Sequence, residues 1–176
     1  MSSLEEIDAA LSRAEPVNES IPPATLRQWR TELVRASVFV SYAIGVLSLD
    51  VEILTRGAAM AREDVLQATV NDLPEILATG WVGGGWSLSP DATASVAAAA
   101  EVALDESAGL LGLHATVVTS DLDDADVVSD LLVHVQEQRQ ALIERREQLE
   151  ARIRKIQEAV LKQYASGAAS VDDWLT

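Results

Sequence analysis

The sequence predicts an all-α protein, a long antiparallel helical hairpin of coiled-coil character with a small helical insert. Three observations predict it. Two long segments carry apolar residues at alternating steps of three and four, the spacing that lines one side of a helix. Neither long segment contains proline. The region between them is poorer in long-range pattern and holds most of the glycine. A chain of 176 residues, with 48% hydrophobic and 23% charged residues, supports one domain with a real core.

Residues 1–23 form an acidic lead, expected to be largely irregular because Pro16, Pro22 and Pro23 argue against a continuous helix. Residues 24–176 are expected to make a single elongated helical domain. Its first long helix, 24–60, places Leu26, Arg30, Leu33, Ser37, Val40, Ile44, Leu47, Val51, Leu54 and Ala58 on one seam, eight of the ten being apolar. A local alternation of Leu47, Leu49, Val51 and Ile53 with polar residues is the competing signal for a half-buried strand. The helical spacing continues on both sides of it, so helix is the reading. Val38, Phe39, Tyr42, Val46 and Leu49 fall off the seam. They imply a second buried face, covered either by the middle of the chain or by another protein.

Residues 61–120 are expected to hold the helical and loop insert. Within it, 62–78 reads as a short helix and WVGGGW, residues 81–86, as a loop with Trp81 and Trp86 as core anchors. An Ala-rich helix over 91–113 is expected to break near Gly109 and Gly112, and TVVT, residues 116–119, reads as a brief extended connector. Ser120, Asp121, Asp123 and Asp124 suit a helix N-terminus. The second long helix, 121–165, would extend about 65 Å at about 1.5 Å per residue. Its seam runs Val128, Leu132, Val135, Arg139, Leu142, Arg146, Leu149, Ile153, Ile156, Val160 and Gln163. Residues 166–176 are expected to form a C-terminal hook, with Gly167 as the helix stop and SVDD, 170–173, as a capping box before Trp174 and Leu175.

Charge and composition narrow the function. A net charge of −15 disfavours direct binding to nucleic acid or to an anionic membrane, and favours protein partners. With no cysteine and only two histidines, His114 and His134, neither a disulfide nor a thiolate or histidine metal site is expected. The glycine-rich loop lacks the Lys-Ser/Thr of a phosphate loop. His114 and His134 read as solvated or satisfied histidines, and Asp50 with Glu52 as part of a solvated face. No catalytic residue, metal or cofactor is expected, and the chain is not read as an enzyme. The apolar stretch 38–54 is interrupted by Ser41, Ser48, Asp50 and Glu52, and residues 1–19 lack the pattern of a signal peptide, so a cytoplasmic protein is expected.

Arg139 and Arg146 stand at two seam positions that favour apolar residues. Each should snorkel past the seam, pair with a carboxylate on a neighbouring helix, or face an anionic ligand or an acidic protein surface. Between Glu137 and Lys162 seven basic residues outnumber five acidic ones, so the rest of the chain carries −17. That asymmetry suits an acidic partner or the chain's own acidic part.

The stretch LRQWRTELVRASVFVSYAIGVLSLDVEIL (26–54), then DLPEIL (72–77), and LIERREQLEARIRKIQEAVLKQYASGAASVDDWL (142–175) resemble the actinobacterial aerial-mycelium-formation proteins of the RsiG type. The resemblance implies an anti-sigma factor, two long antiparallel helices that hold a WhiG-like sigma factor away from RNA polymerase. Members of that family bind cyclic di-GMP through E-x3-S-x2-R-x3-Q-x3-D on each long helix. Aligned on the seam, the first helix here offers Ser37, Ser41, Ile44, Ser48 and Glu52, and the second Arg139, Ile143, Arg146, Glu150 and Arg154. The motif keeps Ser41, Glu52 in place of the final acid, and Arg146, and these three are the ligand residues that the resemblance carries over. With so much of the motif replaced, the nucleotide is not expected to bind. The expected partner contacts are Val38, Phe39, Tyr42, Val46 and Leu49 as buried area, with Arg139 and Arg146 setting orientation. The alternative function is a structural coiled coil that homodimerises without a sigma partner.

Overall fold

A computed structural model describes residues 4–18, 20–57, 67–72, 110–120, 122 and 124–167. Four helices order it: α1 (Leu4–Arg13), α2 (Pro23–Gly57), α3 (Leu110–Thr119) and α4 (Ala125–Ala165), with a further helical stretch at 67–72. Among the described residues there is no strand, and Leu47 to Ile53 lie within α2.

The hairpin forms as its seams predict. In α2, Leu26, Leu33, Val40, Ile44, Leu47 and Leu54 are buried. They meet Val135, Leu142, Leu149, Ile153 and Ile156 of α4 in one core. Cross-links fix the direction. Arg139 Nε donates to Ser48 Oγ at 2.9 Å, while Gln163 Nε2 donates to the Ile21 carbonyl, just before α2, at 2.7 Å. Partners therefore move down α2 as they move up α4, and the two helices are antiparallel. The 41 residues of α4 reach about 60 Å at about 1.5 Å per residue.

Local chemistry sets the ends. Pro23 opens α2 at a position where a missing N–H costs nothing, and the Leu26 N–H donates to the Pro22 carbonyl at 3.1 Å. Asp124 caps α4 in an extended conformation, its carboxylate accepting from the N–H groups of Asp126 and Val127. At the other end Gly167 takes φ +74°, the left-handed conformation that stops a helix, and its N–H donates to the Tyr164 carbonyl at 3.1 Å.

The lead is not largely irregular. Its first ten described residues form α1, because Ile7, Ala10 and Ala14 repeat at helical spacing before Pro16 intervenes, and all three are buried. The second correction concerns 110–119. Neither Gly112 nor the β-branched TVVT ends the helix there, since α3 runs through both and buries Leu113 and Val117 one turn apart. Tertiary burial outweighs the weak helix propensity of those residues. The 81–86 loop with Trp81 and Trp86, and the hook residues 170–175, lie outside the described residues.

The second face of α2 is covered only in part by the chain itself: Phe39 and Ile53 are buried, while Val38, Tyr42, Val46 and Leu49 stay half-buried. α3 packs against α2, α1 packs against both α2 and α4, and Leu122 fits against Gly57, where a Cβ would lie 3.2 Å from the Leu122 side chain.

Leu142, 1% exposed at mid-seam, provides the test of this packing. Leu142→Ala is expected to lower stability by about 3 kcal/mol in urea unfolding. A loss below about 1 kcal/mol would show that the two long helices do not close on each other here.

Candidate functional site

The seam of the hairpin is interrupted by polar side chains. Ser37 and Ser48 on α2 are buried, and Gln163 on α4 is buried. Ser48 Oγ donates back to the Ile44 carbonyl at 2.7 Å and accepts from Arg139 Nε at 2.9 Å. A hydroxyl of the neighbouring helix therefore receives Arg139, an acceptor that is not among the three alternatives drawn from the sequence. Arg146 lies 3.9 Å from Glu150 on its own helix, and both are mostly covered, at 16% and 19% side-chain exposure.

The three carried-over ligand residues are spread along the hairpin. Ser41 and Arg146 are half-buried on the facing helices. Glu52 sits eleven residues beyond Ser41 on α2, about 16 Å along the axis. It is already engaged there by Arg56, whose Nε donates to it at 2.6 Å. Arg56 in turn donates from Nη2 to Asp72 at 2.6 Å, tying α2 to the 67–72 stretch.

The partner-contact residues divide. Phe39 is 4% exposed and belongs to the core, where it has no surface to offer. Val38, Tyr42, Val46 and Leu49 are half-buried. Val38, Tyr42 and Leu49 fall at steps of four and seven, on one stripe along the back of α2.

Asp50 and His114 form a pair that the seam reading of the sequence did not assemble. Asp50 is fully buried rather than part of a solvated face, and its Oδ1 lies 2.6 Å from His114 Nδ1 on α3. Its Oδ2 is buried without a hydrogen-bond partner. The hydrogen bond to this carboxylate raises the imidazole pKa above its usual 6.5, against the opposing effect of burial. The signal was present in the spacing. Asp50 stands three residues after Leu47 and four before Leu54, both buried seam residues, so the helical wheel turns it inward.

An aspartate holding an imidazole is also the rear half of a hydrolytic triad. Among the described residues no hydroxyl completes one. Asp50 is the single hydrogen-bond partner recorded for the His114 ring among the described residues, and the pair joins α3 to α2. The described residues also contain no group of three or more His, Asp or Glu side chains placed to hold a metal ion. His134, by contrast, is exposed on α4.

No protein-family model, curated protein or solved structure matches the chain.

Because the folded pKa of His114 is raised, the protonated ring stabilises the fold fully below about pH 6.5, and that contribution is lost as pH rises through the folded value. Thermal unfolding of the native chain is therefore expected to lose midpoint on the alkaline side of pH 6.5, and the His114→Ala variant is expected to lack this dependence. His114→Ala leaves a buried carboxylate unpaired and is expected to cost about 3 kcal/mol, with Asp50→Asn in the same chain restoring more than half. Indistinguishable pH profiles for the two proteins would remove the pair from the stability of α3.

Proposed function

We propose that the chain is a regulatory protein-binding module that sequesters a WhiG-like sigma factor by occlusion, in the cytoplasm and without cyclic di-GMP. The observation that carries the reading is the hairpin itself. Two helices of 35 and 41 residues pack antiparallel, the architecture that the resemblance implies. The half-buried stripe of Val38, Tyr42, Val46 and Leu49 on the back of α2 offers apolar contact area. Phe39 is not part of that surface. Arg139 and Arg146 act from within the hairpin seam rather than as free cations.

By length and composition α2 is apolar enough to cross a bilayer. Half of its most apolar window is nevertheless buried inside the fold, and Asp50 within α2 is spent on His114. The apolarity of α2 is thus accounted for by its two packed faces, which favours the reading of α2 as the core helix of a water-soluble protein.

Cyclic di-GMP recognition needs paired guanidinium groups for phosphate or guanine and carboxylates for the guanine edge. Ile44 removes the cation from α2, Ile143 and Glu150 replace the hydroxyl and amide on α4, and Glu52 is held by Arg56. Isothermal titration with cyclic di-GMP is expected to give no heat of binding at micromolar ligand. Saturable micromolar binding would return the nucleotide to the mechanism.

Affinity purification from native cytoplasm is expected to co-elute a sigma subunit. Val38→Glu with Leu49→Glu is expected to lower that recovery by about tenfold, because charge on the stripe must be desolvated in a complex. Circular dichroism should show the helices intact. A tight homodimer by light scattering, with no sigma subunit recovered, would replace sequestration with scaffolding.

A further inference from the structure

α1 is a weakly held element lying over the strongest concentration of positive charge in the chain. Ten residues are too few to make a stable helix alone, so α1 is ordered by what it touches. Ile7 is its one large side chain among the fully buried residues, with Ala10 and Ala14 completing the inward face. Its polar anchors are arginines. Arg145 reaches Asp8 through Nε at 3.2 Å and Nη2 at 3.4 Å. Arg152 Nη1 donates to the carbonyls of Ala14 at 3.1 Å and Glu15 at 2.7 Å, collecting the C-terminal end of the helix. The Arg13–Glu32 pair is longer, at 3.6 Å. Asp8 and Arg13 are 52% and 60% exposed, so these ion pairs contribute little against water.

The fit between the lead and α4 is incomplete. One cleft of about 270 Å³ opens beside α1 between Leu11, Ser12, Gln148, Arg152 and Lys155. A second, of about 350 Å³, lies between Val17, Asn18, Lys155, Glu158 and Lys162. Ser12 is the small α1 residue at the first cleft, which Glu15 also borders and where α4 brings Arg152 and Lys155; at the second α4 brings Lys155 and Lys162 with Glu158. Arg145, Arg152, Lys155 and Lys162 face a chain whose net charge is −15.

We propose that the α2–α4 groove beneath α1 is a docking site for an acidic amphipathic helix of a partner protein, and that α1 is its resident self-ligand. The proposal rests on the reading of the chain as a protein-binding module and names the chemistry that one of its surfaces accepts. α1 supplies the template: an apolar residue at Ile7, an acid beside it for Arg145, small residues at the next two inward turns, and exposed terminal carbonyls for Arg152. A better occupant keeps that pattern and places a larger apolar side chain where Ser12 stands, filling the first cleft. α1 has the advantage of its tether. Residues 14–22 connect it to α2, and Gln163 holds the end of that connector at Ile21, so its local concentration is high. A partner must exceed that advantage, and α1 thereby sets a threshold for binding.

Two measurements on the full-length chain test this. In hydrogen exchange of the native protein, α1 amides are expected to exchange about a hundredfold faster than those at the centre of α4, while the hairpin stays protected. Exchange of α1 only together with α4 would overturn the proposal, since the groove would never open on its own. The second measurement uses a fluorescein-labelled peptide of residues 4–15 carrying Ser12→Leu. It is expected to bind the Ile7→Lys protein at least about tenfold more tightly than the native one, because the tethered competitor has been released. Adding Arg145→Glu and Arg152→Glu is expected to lower that affinity by about tenfold or more. No saturable binding up to millimolar protein, equal binding to native and Ile7→Lys chains, or binding unchanged by the charge reversals would each overturn it. Should Ile7→Lys fail to fold by circular dichroism, the exchange measurement on the native protein still decides. Neither readout needs a sigma subunit. Loss of sigma recovery with the peptide still bound would remove the sigma reading alone, and the reverse result would remove the groove alone.

Discussion

Helix α2 is apolar around most of its circumference, and the need to cover it places the other described elements. A helix with one apolar stripe is satisfied by one partner, whereas α2 buries residues on two sides. Leu26, Leu33, Val40, Ile44 and Leu47 close on α4. Phe39 and Ile53 are buried as well, at positions turned away from that line, and Ala36 and Ala43 fill its flank. α4 alone cannot reach both sets, so α3 and α1 dock on the remaining surface. The hairpin is therefore not a free-standing pair of helices but the centre of a small bundle, and the surface left for a partner is narrower than the apolar content of α2 suggests.

Polar residues within this apolar packing give it register. A uniform apolar seam permits sliding by a heptad, because each shift replaces one Leu contact with another. Ser48 meeting Arg139 and Gln163 meeting the Ile21 carbonyl do not tolerate such a shift, since each would leave a buried polar group without its partner. Asp50 does the same for α3. A fully buried carboxylate needs compensation, and of the described side chains only His114 supplies it, so α3 has one place to sit. These contacts add little net stability on the usual scale of hydrogen bonds, and their larger effect is to penalise the wrong arrangement.

The long-range pattern was legible because it was repeated. Leucines and valines at three- and four-residue steps over 35 and 41 residues overdetermine a helix, and the local alternation around Leu47 to Ile53 could not reverse that. Short elements lacked this redundancy. α1 rests on three buried positions, and Pro16 next to them was a stronger local signal than the spacing of Ile7, Ala10 and Ala14. α3 holds Gly112 and the TVVT run, whose intrinsic preferences point away from helix until Leu113 and Val117 find α2 and its neighbours. The Asp50–His114 contact spans 64 positions, so spacing could turn Asp50 inward but could not name its partner. The same limit applied to Arg139. Its place on the seam showed that something must receive it, while the choice of Ser48 over a carboxylate is a property of the packed pair.

The charge distribution follows from this arrangement rather than accompanying it. Most of the basic residues of the chain are gathered on α4, which is bordered by the acidic lead. An arginine near a low-dielectric surface keeps its stem against apolar atoms and needs an acceptor at its tip. Arg145 takes the Asp8 carboxylate and Arg152 takes the end of α1, so the lead answers a demand that α4 would otherwise leave to water. That answer is local and shallow, because the acceptors lie at the rim and α1 brings few large side chains. An element held by rim acceptors over a partly filled groove opens more readily than one held by core packing. The cations of α4 thus serve two ends with one geometry: they keep the lead in place while it is the nearest acceptor, and they define by charge and spacing what else the helix can hold.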